Sequence, residues 1–123
     1  NRSSRLTIVD VCDDLTAFVE AADVVLSMGG YNTMCEVLSL RKRAVVVPRV
    51  QPRLEQWIRC TRLAELGLIR TIHPSEATNE RLLQVVTESL LDKSVVTAQP
   101  HLNFDGLRNV SDIVSTYCVR SAA

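Results

Sequence analysis

Apolar and polar positions change period repeatedly along this chain. Short, β-branched apolar runs at 6–11, 24–26, 44–48 and 68–72 read as strands, each bounded by polar residues. Between them the apolar spacing lengthens to that of a helix face. Leu15, Phe18, Val19 and Ala22 form one such face behind a capping pair, Asp13 and Asp14. Met34, Val37 and Leu38 mark a second helix over 33–40. Leu54, Trp57, Ile58, Thr61 and Ala64 predict the buried side of a third, with Pro52 near its first turn and Gly67 as its terminator. Glu55, Gln56, Arg59 and Arg62 fall on the other side of that helix. A fourth helix over 78–91 carries Leu82, Leu83, Val86 and Leu90 inward. After a linker at 93–104, a last helix at about 105–119 aligns Leu107, Val110, Val114, Tyr117 and Cys118. The alternation of strand and helix predicts an α/β fold, a Rossmann-like parallel sheet flanked by helices on both sides.

One stretch organises the rest. Residues 22–36 run from a buried strand through Gly29-Gly30 and a polar Asn32-Thr33 pair into a helix. A helix N-terminus presents unpaired N–H groups and about half a positive charge, and glycine allows a ligand's close approach. The stretch is therefore a candidate phosphate or sugar-nucleotide site. A second reading stands beside it: Thr33 and Glu36 have the spacing of a capping box, whose only work is to satisfy helix donors. Neither GxGxxG nor the Lys-Ser/Thr of a P-loop is present, so dinucleotide and ATP binding are not indicated.

Composition narrows the classes. With 123 residues the chain is one domain, and its 46% apolar content is that of a globular protein. Lys+Arg and Asp+Glu both number 14, and no basic stripe is interleaved with aromatics, so nucleic acid is not an expected partner. No apolar run is long enough to span a membrane. Cys12, Cys35, Cys60 and Cys118 show no metal-ligand spacing and each lies in or beside an apolar segment. Buried free thiols in a reducing cytoplasm are the expectation, with no metal. The chain starts at Asn1 and enters an apolar run almost at once, the pattern expected of the tail of a longer protein.

In a parallel sheet, ligands lie beyond the carboxyl ends of the strands. That edge would gather Cys12-Asp13-Asp14, the turn 27–33 and the loop 48–56. The set Gly29-Gly30-x-x-Thr33-x-x-Glu36, then Pro48 and Glu55-Gln56, then Gly67, resembles the donor-binding half of a GT-B glycosyltransferase. The nearest likeness, over residues 6–90, is to the MurG-type family, which transfers N-acetylglucosamine from UDP-GlcNAc to a lipid-linked acceptor.

The resemblance implies a partial C-terminal domain of such an enzyme, spanning 1–123 as one nucleotide-sugar-binding unit. It puts Glu36 on the ribose hydroxyls, and Gly30, Tyr31, Asn32 and Thr33 on the diphosphate, with Gly29 also among the donor-binding residues. Glu55 and Gln56 fall on the donor sugar, and the backbone of Cys12 on the uracil edge. Arg49 and Arg53 are further candidates for the diphosphate charge. The UDP-sugar is a donor substrate, and no cofactor is expected. The catalytic base is expected in an N-terminal, acceptor-binding domain or a separate subunit, so none is assigned here; His73 and His101 match no catalytic position of the family. Location is expected to be cytoplasmic, with any membrane contact made through the acceptor half. Two alternatives accompany this reading: a non-catalytic donor-binding subunit of a split transferase, and part of a UDP-sugar epimerase, which shares the architecture.

Overall fold

A computed structural model of the chain describes residues 6–92 and 102–121, with no account of side chains over 119–121. Three parallel strands, β1 (Val25–Ser27), β2 (Ala44–Val46) and β3 (Arg70–Thr71), lie in the order β1-β2-β3. Val25 pairs with Ala44 and Ser27 with Val46, while Val45 pairs with Arg70. Around them stand α1 (Leu15–Ala21), α2 (Tyr31–Ser39), α3 (Glu55–Glu65), a 3₁₀ turn (Pro74–Glu76), α4 (Asn79–Leu91) and α5 (Gly106–Ser121).

The alternation of β2 divides the core. Ala44 and Val46 point to one face, where Val19, Met34, Val37, Leu38, Cys60, Leu68 and Ile69 pack from α1, α2, α3 and the approach to β3. Val45 points to the other and meets Ile72, Val85, Leu82 and Val86 under α4. All three β2 residues are buried, as a central parallel strand requires.

Helix ends follow local chemistry. Asp14 caps α1, its carboxylate accepting from the Ala17 N–H at 2.9 Å, and the Thr78 hydroxyl accepts from Arg81 N–H at 3.2 Å at the start of α4. At the end of α3, Gly67 (φ +71°) donates to Ala64 O and Leu68 to Leu63 O, the paired bonds of a Schellman motif. The same pair closes α2, from Arg41 to Leu38 O and from Lys42 to Val37 O. There the left-handed position (φ 52°) is filled by Arg41 instead of glycine.

Several sequence expectations are corrected. Residues 6–11 form no strand: Leu6, Ile8, Val9 and Val11 are exposed and pair with nothing in the sheet. An apolar alternation becomes a strand only where a neighbouring strand takes up its backbone hydrogen bonds. Pro52 precedes α3 by three residues, outside its first turn, after a cis peptide bond from Gln51. The α3 face is rotated from the expected one, so that Cys60 is buried while Leu54 and Ile58 are exposed. In α4 the inward residues are Val85 and Ser89 with Leu82 and Val86, and Leu83 and Leu90 face solvent. The face of α5 carrying Leu107, Val110, Val114 and Tyr117 is exposed. Of the thiols, only Cys60 is fully buried; Cys12 and Cys118 are exposed, and all four are free. Most of the linker expected at 93–104, with His101, lies outside the described residues.

The basic run Arg41-Lys42-Arg43 after α2 makes structural contacts. Lys42 Nζ donates to the carbonyls of Glu20 and Ala22, tying down the end of α1, and Arg43 donates to Leu90 O at 3.2 Å. On the far side of the sheet Arg70 holds Glu88 at 3.2 Å and Asp92 at 3.0 Å, fastening α4 to β3.

Candidate functional site

The carboxyl ends of the strands lead into three segments. β1 runs into Met28-Gly29-Gly30, β2 into the loop 47–54, and β3 into Ile72-His73. The first is set by close packing. Gly29 has φ +75°, and a Cβ on it would stand 2.7 Å from both Cys60 Sγ and Val46 Cγ1 and 4.0 Å from Pro48 Cβ. Only a residue without a side chain fits between α3 and β2 in that backbone conformation. Burial pushes the Cys60 thiol above its ordinary pKa, an effect opposed in part by the Arg59 charge.

Gly30 is the N-cap of α2, and no side chain caps the helix. Thr33 lies inside the first turn instead of ahead of it, so the Thr33–Glu36 capping box does not form. Tyr31 and Asn32 are exposed at the helix start, and Thr33 is half-buried. The N–H groups of that turn accordingly have no side-chain acceptor, in a helix whose dipole favours an anion there.

Glu36 stands one turn further in. One carboxylate oxygen, Oε1, accepts from the Thr16 hydroxyl of α1 at 3.3 Å. The other, Oε2, is sealed from solvent with no hydrogen-bond partner. An acceptor left unpaired in that way is costly, and such groups commonly await a donor. The Thr16–Glu36 contact was not legible in the sequence, because nothing in the spacing of Thr16 marks it.

The loop after β2 meets the start of α3 in a concavity of about 180 Å³, lined by Arg49, Pro52, Arg53, Glu55 and Gln56. Gln56 holds the loop, its Oε1 accepting from Arg49 N–H at 3.1 Å. Its amide NH₂ has no partner in that bond and remains a donor. Glu55 and Arg53 are exposed at the rim. Another concavity, of about 400 Å³ and mostly apolar, is formed by Thr7, Val9, Cys12, Leu15 and Phe18. The residues expected at the site thus fall into three groups: Cys12 in this last groove, Gly29 to Glu36 in the turn before α2 and its first turns, and Arg49 to Gln56 at the start of α3.

Two contacts here were not foreseen. The Arg59 guanidinium lies over the Tyr31 ring at 5.4 Å, joining α3 to the first residue of α2. His73, just past β3, meets Trp57 edge to face with ring centroids 4.9 Å apart, and its Nδ1 lies 2.6 Å from Ser75 Oγ. Among the described residues no group of three or more His, Cys, Asp or Glu could hold a metal ion, and no helix is long and apolar enough to cross a membrane.

A parallel sheet with helices packed on it, an uncapped helix start after β1 and a polar loop after β2 is an α/β domain with its loops gathered beyond the carboxyl ends of the strands. The particular family follows from comparison. Residues 1–114 match the glycosyltransferase family 28 C-terminal domain, and the chain belongs to that family. A similar curated protein is the UDP-N-acetylglucosamine--N-acetylmuramyl-(pentapeptide) pyrophosphoryl-undecaprenol N-acetylglucosamine transferase of Shouchella clausii. It is 34% identical over 80 residues, covering 63% of this chain and 23% of that protein. The enzyme of the same name from Haemophilus ducreyi is 24% identical over 96 residues, covering 78% and 27%. Among solved structures, the glycotransferase of kitacinnamycin matches with a TM-score of 0.60 and 29% identity, over 68% of this chain and 21% of that one. The chain thus spans about a quarter of the length of these relatives.

Proposed function

We propose that this domain holds the donor of a glycosyltransferase reaction, a UDP-GlcNAc-like nucleotide sugar whose hexosyl group passes to an acceptor. The observation that carries the reading is Glu36: a carboxylate oxygen buried without a partner, one turn inside an uncapped helix N-terminus. A ribose offers two hydroxyl donors to such an oxygen, and the diphosphate beside it takes the free N–H groups of Tyr31, Asn32 and Thr33. The names of the Shouchella and Haemophilus relatives support UDP-GlcNAc as the chemical type.

In this reading Gly29 and Gly30 let the backbone approach the diphosphate, and Cys12 borders the groove that receives the base. Glu55 and Gln56 face the sugar, with Arg49 and Arg53 at the rim. As the glycosidic bond to the donor breaks, negative charge develops on the departing UDP, and the fixed N–H dipoles of α2 stabilise it. The nucleotide sugar is consumed as substrate, and the residues assigned call for no resident cofactor. The base that deprotonates the acceptor belongs to an acceptor-binding domain or subunit, which also carries any membrane contact.

Calorimetry on the full-length protein tests this. UDP and UDP-GlcNAc should bind more tightly than ADP or NAD. Glu36→Gln should weaken UDP by about 1.5–3 kcal/mol, the range for a hydrogen bond to a charged group and roughly 10- to 150-fold in affinity, with thermal stability unchanged. Equal binding of ADP, or a Glu36→Gln variant that loses stability but keeps UDP affinity, refutes the assignment.

A further inference from the structure

We infer that Arg59 is a further donor-site residue, the cation that grips the diphosphate beside the α2 N-terminus. The inference rests on the donor-site reading above and adds a group that neither the motif nor the loop supplies. Arg49 and Arg53, the arginines expected in this role, are exposed on the loop after β2. Arg59 is half-buried on α3, three residues after Gln56 and four after Glu55, so all three share one side of the helix.

Two independent observations single it out. Its guanidinium lies 5.4 Å from the ring centroid of Tyr31, the first residue of α2 after the Gly29-Gly30 turn. One of its terminal nitrogens, Nη1, is shut off from solvent and finds no hydrogen-bond acceptor. The same α2 turn has backbone N–H groups that no side chain caps. A buried unpaired guanidinium donor and uncapped helix N–H groups, brought together at one corner, make complementary chemistry for a multiply charged oxyanion. The ring of Tyr31 is an exposed side chain and a weaker partner for the guanidinium than an anion, so a diphosphate can take its place. Tyr31 then keeps the long Arg59 side chain in position while the site is empty.

The experiment titrates UDP and uridine into the full-length protein and its Arg59→Gln and Arg59→Lys variants. Arg59→Gln should weaken UDP at least tenfold and leave uridine, which lacks phosphate, unchanged. Arg59→Lys keeps the charge but not the planar fork, and should lose threefold or more. Equal loss for UDP and uridine overturns the inference, since that is the behaviour of a residue that only supports the fold. Unchanged UDP affinity in both variants overturns it as well, while leaving the donor site standing. If the unaltered protein binds no UDP, the donor-site reading falls and takes this inference with it. Should Arg59→Gln fail to fold, the Arg59→Lys comparison of UDP with uridine decides.

Discussion

Replacing Gly29 with alanine is the most demanding test of the packing beneath the site. The added methyl would stand 2.7 Å from Cys60 Sγ and 2.7 Å from Val46 Cγ1, on side chains that are both 0% exposed. Neither neighbour is the loose end of a flexible chain, so the clash must be relieved by moving β2, α3 or the turn. Overpacking of this kind costs about 1–3 kcal/mol. The left-handed backbone (φ +75°) adds about 1–2 kcal/mol for a residue with a Cβ. The sum, roughly 2–5 kcal/mol, is a large part of the 5–15 kcal/mol by which domains are ordinarily stable. At about 3–5 °C per kcal/mol for a domain of this size, the melting temperature should fall by roughly 10–20 °C in a circular-dichroism melt. The steric share can be separated by a double-mutant cycle with Cys60→Ala, which removes one of the two clashing atoms. Gly29→Ala should cost less in that background than alone. A Gly29→Ala protein that melts within about 2 °C of the parent would show that the turn yields freely, and the packing argument would be wrong.

Three further outcomes follow from particular contacts. Arg41 occupies the left-handed position at the end of α2 (φ 52°), so Arg41→Gly should stabilise by about 0.5–1 kcal/mol, read as a rise in the urea midpoint; a fall would refute it. Cys60 has a raised pKa in the fold, so its stabilising contribution is full below its unfolded value near 9.0 and is lost as pH rises through the higher folded value. Stability should therefore drop more steeply above pH 9.0 in the parent than in Cys60→Ala, and equal slopes would count against the burial argument. Gln56→Ala frees the Arg49 N–H and removes the amide proposed to face the sugar, so it should lower kcat/KM for the nucleotide sugar at least tenfold, about 1.4 kcal/mol, while plain UDP affinity barely changes; equal loss on both would place the sugar elsewhere.

Much of the architecture was legible from local signals. The buried β-branched run of β2, the caps at Asp14 and Thr78, and the glycine terminator at Gly67 are each decided by a few neighbouring residues, and the sequence carries those residues in full. What local pattern left open was decided by distant contacts. α3 has apolar residues on two sides, Leu54-Trp57-Ile58 and Cys60-Leu63-Ala64, and periodicity cannot choose between them. In the fold the fully buried thiol of Cys60 packs against Gly29, while Ile58 is turned to solvent, a choice made by contact with a residue some thirty positions away. The 6–11 segment has the alternation of a strand, but hydrogen-bonded partners are a property of the sheet and not of the segment. At the site, the glycine turn and Glu36 were visible as a spaced motif. The contacts of Thr16 and Arg59 were not, since each has its partner 20 or 28 positions away, Glu36 for the one and Tyr31 for the other.

α1 has a consequence for how binding would register in time. It has seven residues, buries Val19 alone, and is moored by the Thr16 hydroxyl on Glu36 and by Lys42 at its last carbonyls. So short a helix is unstable by itself in water, and its amide protons should exchange through local opening, well before those of β2. A ligand that claims the partnerless Oε2 of Glu36 engages the same carboxylate whose Oε1 tethers α1, and so bears on how firmly that helix is held. Protection of the amides over 15–21, measured by hydrogen exchange with and without nucleotide, would therefore report occupancy of the site from a helix that supplies only its edge.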